Sequence, residues 1–134
     1  MLILKKDFFE QMVKHSIREL PDEACGILAG KNQIVEKVYE MTNVEKSPEN
    51  YFMDPEEQLK VTKEIRNLGF QMLGIYHSHV ASQAYPSKRD VEMAFYPDTA
   101  YLIVTLKDKN NPQVRSFRIV EGKIEEEEVK IVDS

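Results

Sequence analysis

A chain of 134 residues with 42% hydrophobic and 31% charged side chains has the make-up of a soluble globular domain large enough to bury one core. Its net charge of −5, without basic clusters, argues against nucleic acid or an anionic membrane as partner. Cys25 is the sole cysteine, Met1 to Asp7 runs into charge rather than a long apolar segment, and no stretch is long and apolar enough to span a bilayer. The expectation is therefore a cytoplasmic protein without an intrachain disulfide.

Over residues 7–20 the apolar side chains Phe9, Val13, Ile17 and Leu20 recur at three- and four-residue steps, the spacing of one helix face. Asp7 with Glu10 makes a capping box at its start, and Pro21 ends it. Cys25-Gly26-Ile27-Leu28-Ala29-Gly30 and the alternating residues 34–38 flank a Lys31-Asn32 turn and read as a strand pair. Residues 43–50 form a loop around Ser47-Pro48, and Tyr51-Phe52-Met53 is a short extended piece after it. Asp54-Pro55-Glu56-Glu57 opens a second helix: Asp accepts free N–H groups, Pro suits the first helical position, and Glu complements the positive end of the dipole. Val61, Ile65 and Leu68 supply its buried stripe and Gly69 its cap.

Residues 70–79 are apolar apart from Gln71 and the terminal His77-Ser78-His79, the pattern of a strand covered on both faces. A loop over residues 80–86, a short helix over 87–96 stopped by Pro97, and a strand over 100–106 follow. Asn110-Asn111-Pro112 turns the chain into a strand over 114–120, and Glu121-Gly122 is the hairpin turn into a last strand over 123–132. Glu125 to Glu128 reads as solvated charge on a twisted edge strand, where like charges discourage pairing with other chains. Another edge strand could still support a homodimer. Helices interleaved with strands indicate an α/β fold, a mixed β-sheet packed against helices, in a single domain over residues 1–134.

Side chains alternate along a strand, so His77 and His79 point the same way with Cβ atoms roughly 7 Å apart, twice a rise of about 3.3 Å. Both rings can lean onto one ion just beyond the strand end. Asp90, in the first turn of the next helix, can return a carboxylate to it. Imidazole and carboxylate suit zinc and leave a coordination position for water, although ligand type alone also admits iron, manganese or nickel. The bland alternative is that Ser87-Lys88-Arg89-Asp90 is only a helix capping box and that the histidines decorate the mouth of a sheet.

Glu23, then His77-Ser78-His79, ten further residues and Asp90, with Ser87 three positions before it, resembles the motif of the JAMM, or MPN-plus, metallopeptidases. The likeness extends through Glu23-Ala24-Cys25-Gly26-Ile27-Leu28 and the Phe117-to-Gly122 segment. It implies a cytidine-deaminase-like mixed sheet, zinc held by His77, His79 and Asp90, Glu23 as acid and base, and Ser87 supporting the transition state. Many members carry Pro directly after the second His, where this chain has Val80, and residues 79–87 lack the Trp and Cys of eukaryotic deubiquitinases. The chain is more similar to small bacterial members that release cysteine from the C-terminus of a ubiquitin-like sulfur carrier. A ubiquitin-like or sulfur-carrier tail is therefore the implied substrate, with Asn43, Tyr51 and Met53 as candidates to line its groove.

Three other functions compete. A zinc hydrolase of small amide or amino-acid conjugates shares the motif, and a non-catalytic MPN scaffold would lack a ligand that is present here. Cys25 with His15, His77 or His79 as base would make a cysteine protease, but a Cys in a short apolar strand is ordinarily inert. Ser78, facing away from the histidines, is expected to steady the ligand shell by a hydrogen bond, and His15 is expected to be a surface or packing residue.

Overall fold

Asn32 and Gln33 both have positive φ, 54° and 64°, and so do Glu121 and Gly122, 51° and 80°. Two successive left-handed residues make the two-residue turn whose twist matches that of the flanking strands. The turns create two hairpins, β2 (Cys25–Lys31) with β3 (Ile34–Met41), and β6 (Gln113–Val120) with β7 (Lys123–Glu127). Ahead of the first hairpin lie β1 (Leu2–Lys5) and α1 (Lys6–Arg18), and between the hairpins come α2 (Pro55–Asn67), β4 (Gln71–His79), α3 (Lys88–Glu92) and β5 (Ala100–Thr105). The chain ends in β8 (Val129–Val132), and the computed structural model describes residues 1–133.

All eight strands join one sheet in the order β7-β6-β5-β4-β2-β3-β1-β8, with both parallel and antiparallel pairs. This is the mixed α/β sheet expected from sequence. Both sides of its centre are covered, so the expected single core is divided into two layers. On one side Cys25, Ile27, Ile75, Ile103 and Phe117 meet Met53 and Ile65. On the other, Leu28, Tyr76, Leu102 and Val104 meet Met12 of α1 and Leu2 and Leu4 of β1. Gly26 is required by the second layer, because a Cβ there would lie 2.1 Å from the Tyr76 ring and 2.5 Å from the Tyr39 carbonyl.

Several expected details differ. Residues 2–5, read only for the lack of a leader-like segment, form β1, paired in parallel with β3 and β8. Residues 123–132 are not one edge strand: β7 pairs with β6 and, past Glu128, β8 crosses to β1 at the opposite end of the sheet. Glu126 and Glu127 are not merely solvated there, because Arg115 and Arg118 of β6 pair with them. Helix α1 starts at Lys6 directly out of β1, so Asp7 lies inside its first turn and the Asp7–Glu10 capping box does not form. Its buried side is Met12, His15 and Ser16, flanked by Phe8, Phe9 and Val13, while Ile17 is exposed. Helix α2 has the Asp54 cap and Pro55 start as expected, and Gly69 follows at φ +74°, but Leu68 at the cap is exposed. Helix α3 closes after Glu92, earlier than the expected residue 96, and the Tyr96 N–H turns to the Tyr101 hydroxyl at 3.0 Å.

Candidate metal centre

Strand β4 lies between β2 and β5, so its end is fixed from both sides, with His77 opposite Cys25 and Ile103 and His79 opposite Thr105. Both rings are buried, at 1% and 5% exposure, and they project on the same side. Their Nε2 atoms are 3.1 Å apart, and Asp90 Oδ2 lies 3.1 Å from each. Asp90 arrives through the capping box of α3. The Ser87 N–H donates to Asp90 Oδ2 at 2.8 Å, and the Asp90 N–H donates to Ser87 Oγ at 3.1 Å. The capping box of Ser-x-x-Asp is present, and the same Asp90 oxygen that closes it also faces the two imidazoles.

The donor set fits a metal ion. Imidazole Nδ1 of His79 donates to the Gln83 carbonyl at 2.9 Å, which leaves the lone pair on Nε2, the atom aimed at Asp90. Two imidazole nitrogens and one carboxylate oxygen, all able to ligate, converge within a triangle of 3.1 Å edges. Ligands of a tetrahedral ion with bonds of about 2.0 Å lie about 3.3 Å apart, so the triangle matches three corners of such a shell. His77, His79 and Asp90 form the only such His/Cys/Asp/Glu group among the described residues.

The charges follow from the same geometry. Burial would raise the Asp90 carboxyl, but the two imidazoles and the Ser87 N–H reverse it and hold Asp90 below the usual carboxylate range. Burial lowers His77, against the pull of Asp90. Burial also acts to lower His79, but the bonds to Asp90 and to Gln83 outweigh it and the net shift is upward.

Glu23 sits just before β2, 4% exposed, with Oε1 buried and without a hydrogen-bond partner. Burial pushes its pKa up to about 8, opposed most by His79. Its backbone is clamped on every side. The Glu23 N–H donates to the Ser47 carbonyl at 2.8 Å, and the Asn43 amide donates to the Glu23 carbonyl at 3.0 Å. Next door, the Ala24 N–H donates to Ser78 Oγ at 2.8 Å while the Ser78 N–H donates to the Ala24 carbonyl at 3.0 Å. Ser78 thus does steady the site, by holding the segment that carries Glu23. A cleft lined by Glu23, Pro48, Glu49, His79, Val80, Ala81, Ser82 and Ser87 opens over these groups.

Cys25 faces the core fully buried, and burial pushes its thiol up to about 12, so it offers no thiolate nucleophile. His15 is on the far side of the sheet, bonded to Tyr76.

A family model described as prokaryotic homologs of the JAB domain matches residues 5–120. The chain belongs to this family. The CysO-cysteine peptidase of Mycobacterium tuberculosis strain H37Rv is 42% identical over 134 residues, covering 98% of this chain and 92% of the relative. The probable TtuB-protein conjugate cleaving protease of Thermus thermophilus is 35% identical, covering 90% of this chain and 78% of its own length. Among solved structures, a protein from Desulfitobacterium hafniense superposes with a TM-score of 0.91 at 40% identity, covering 100% of this chain and 94% of that one.

Within this JAB domain, Val80 stands at the cleft wall, and the loop after it is anchored by His79 on Gln83 and by the Thr105 hydroxyl on the Ser82 carbonyl at 2.6 Å. Of the three residues expected to line a substrate groove, Asn43 does something else. Besides Glu23 it donates to the Asn50 carbonyl at 3.1 Å and accepts from the N–H groups of Glu45 and Phe52, organising the 43–52 loop from within. Tyr51 and Met53 do line a groove, an aromatic one with Phe52, Phe95, Tyr96 and Tyr101. The Gln83 carbonyl under His79 escapes sequence reading, because backbone acceptors leave no residue signature. The Asn43 role carries a faint one: Asn at the start of a loop favours local backbone bonds.

Proposed function

We propose that this chain is a zinc-dependent peptidase that hydrolyses an amide bond at the C-terminal tail of a ubiquitin-like or sulfur-carrier protein, releasing cysteine. The observation that carries the reading is the convergence of His77, His79 and Asp90 near Glu23, whose buried Oε1 has no hydrogen-bond partner. The relatives named for CysO-cysteine and TtuB-conjugate cleavage support the substrate class. The lone cysteine, deeply buried, suits a cytoplasmic enzyme.

In this reading His77, His79 and Asp90 hold the ion. When bound, zinc supplies Lewis acidity that polarises a scissile carbonyl and acidifies water. Glu23 Oε1, desolvated and free of competing bonds, accepts a proton from the attacking water and returns it to the leaving amine. Burial that raises a carboxyl toward neutrality makes it a better base and a usable acid, and a cation across the cleft favours its ionised form. Ser87 Oγ accepts the Asp90 N–H, so its own hydrogen remains available to donate to the developing oxyanion in the cleft it lines. Asn43 and Ser78 hold the backbone around Glu23 and limit its freedom to swing away.

The test is cleavage of a small Gly-Gly-tailed carrier protein extended by a C-terminal cysteine, followed by mass spectrometry. Loss of the terminal residue that stops with a chelator and returns with zinc is the expected result. Stoichiometric zinc with no cleavage of any tailed carrier, but turnover of a small amide conjugate, would overturn the substrate assignment.

A further inference from the structure

We infer that Tyr51 is a positioning residue for the candidate metal site, holding the His77 ring by stacking where His79 is held by a hydrogen bond. The inference rests on the proposed metal-binding role of His77. The two histidines end the same strand and meet the same Asp90 oxygen, yet their second nitrogens differ. Nδ1 of His79 donates to the Gln83 carbonyl, and that bond fixes both tautomer and ring angle. Nδ1 of His77 is buried with no hydrogen-bond partner. The imidazole therefore has a polar contact at Nε2 but none at Nδ1 to set its ring angle from behind, and Nε2 moves with the ring.

The missing restraint comes from the ring face. Tyr51 stacks on His77 with centroids 4.6 Å apart and planes 24° from parallel. A second ring contact, His77 with His79, is edge-on at 62° and 4.9 Å, so the imidazole has one stacked and one edge neighbour. Tyr51 is itself held at a short interval after Asn43, whose side-chain bonds to Asn50 and Phe52 fix the residues on either side of it. Tyr51 also lines the aromatic groove with Phe52, Phe95 and Tyr96. One residue therefore contacts both the His77 ring and that groove. Stacking needs the aromatic face and makes no use of the phenol oxygen, which separates this role from hydrogen bonding or acid–base chemistry.

The test titrates the metal-free protein with cobalt(II) and reads the ligand-field absorption bands, with affinity taken by competition against a chelator. Tyr51→Phe should reproduce the wild-type bands and affinity. Tyr51→Leu keeps bulk but removes the flat face, and should lower affinity about three- to ten-fold, the range for an aromatic pair, and shift the bands. Its melting curve in the metal-free state would show an otherwise folded protein. If Tyr51→Leu does not fold, Tyr51→Met carries the same expectation. Wild-type bands and affinity in a folded Leu or Met variant overturn the inference, as does failure of both to fold, which would make Tyr51 a packing residue. A wild-type protein that binds no cobalt at all would instead overturn the metal reading on which the inference rests.

Discussion

Tyr76 and His77 are neighbours on β4, yet they face layers of opposite character. On the α1 side, His15 is buried and its Nδ1 lies 2.7 Å from the Tyr76 hydroxyl, with the rings edge to face at 82°. Ser16 beside it donates to the Met12 carbonyl at 2.8 Å. That polar cluster is small, His15 matched with the Tyr76 hydroxyl and Ser16 with its own helix backbone. On the other side, two imidazole nitrogens and a carboxylate oxygen meet within 3.1 Å of one another, while His77 Nδ1 and Glu23 Oε1 have no partner. Buried polar groups that satisfy one another hold a structure together, and a buried cluster whose groups are left without such partners is a candidate functional site. The same two residue types, His and an oxygen donor, serve both ends according to where their lone pairs go.

The strongest way to break this contrast is to remove the atom on which the second face converges. Asp90→Ala deletes one corner of the donor triangle and the return bond of the α3 capping box. Metal analysis of the purified variant should find it largely metal-free, and carrier cleavage should fall by at least about a thousand-fold, since the reaction loses its Lewis acid. Stoichiometric zinc in Asp90→Ala would remove the carboxylate from the ligand set. Next in size is Glu23→Gln, which keeps shape and burial while removing the proton acceptor. It should retain zinc and lose about 10²- to 10⁴-fold in kcat with little change in KM. Equal turnover in that variant would assign the proton transfer elsewhere.

The two faces were unequally legible in the sequence, and the reason is physical. The metal face announces itself because each part has a local signature: alternation along β4 puts His77 and His79 on one side, and Ser87-x-x-Asp90 fixes a helix start wherever it occurs. The α1 face has no such signature. Its buried helix positions include His15 and Ser16, which a count of apolar spacings passes over, so Ile17 looked buried and is exposed. For a different reason β1 had no local signal, and residues 129–132 looked like a continuation of the 123–127 strand. A four-residue strand gains its identity from partners, and those of Leu2 to Lys5 are Val129 to Val132 at the far end of the chain. Tyr51 was legible as a groove residue but its stacking was not, since nothing local says that an aromatic residue in a loop will lie against His77.

The smallest expected effect concerns the His15 cluster, and it separates stability from chemistry by pH. Burial lowers the pKa of His15 below its ordinary 6.5; the carboxylates of Glu40 and Glu19 pull it up and Arg18 pushes it down, without reversing the shift. The folded state therefore keeps His15 neutral at a pH where the unfolded chain already binds the proton. With more protons on the unfolded side, stability rises with pH across that window, and is lost as pH falls from about 6.5 toward the lower folded value. His15→Gln removes the titration while leaving a side chain able to reach the Tyr76 hydroxyl. Thermal melts of both proteins from pH 8 to pH 5, at equal zinc loading, share every contribution from the metal face, so only their difference reports on His15. The wild type should lose stability more steeply below pH 6.5, with carrier cleavage at neutral pH unchanged between the two. Parallel curves would mean that His15 takes its proton in the fold as readily as in the open chain.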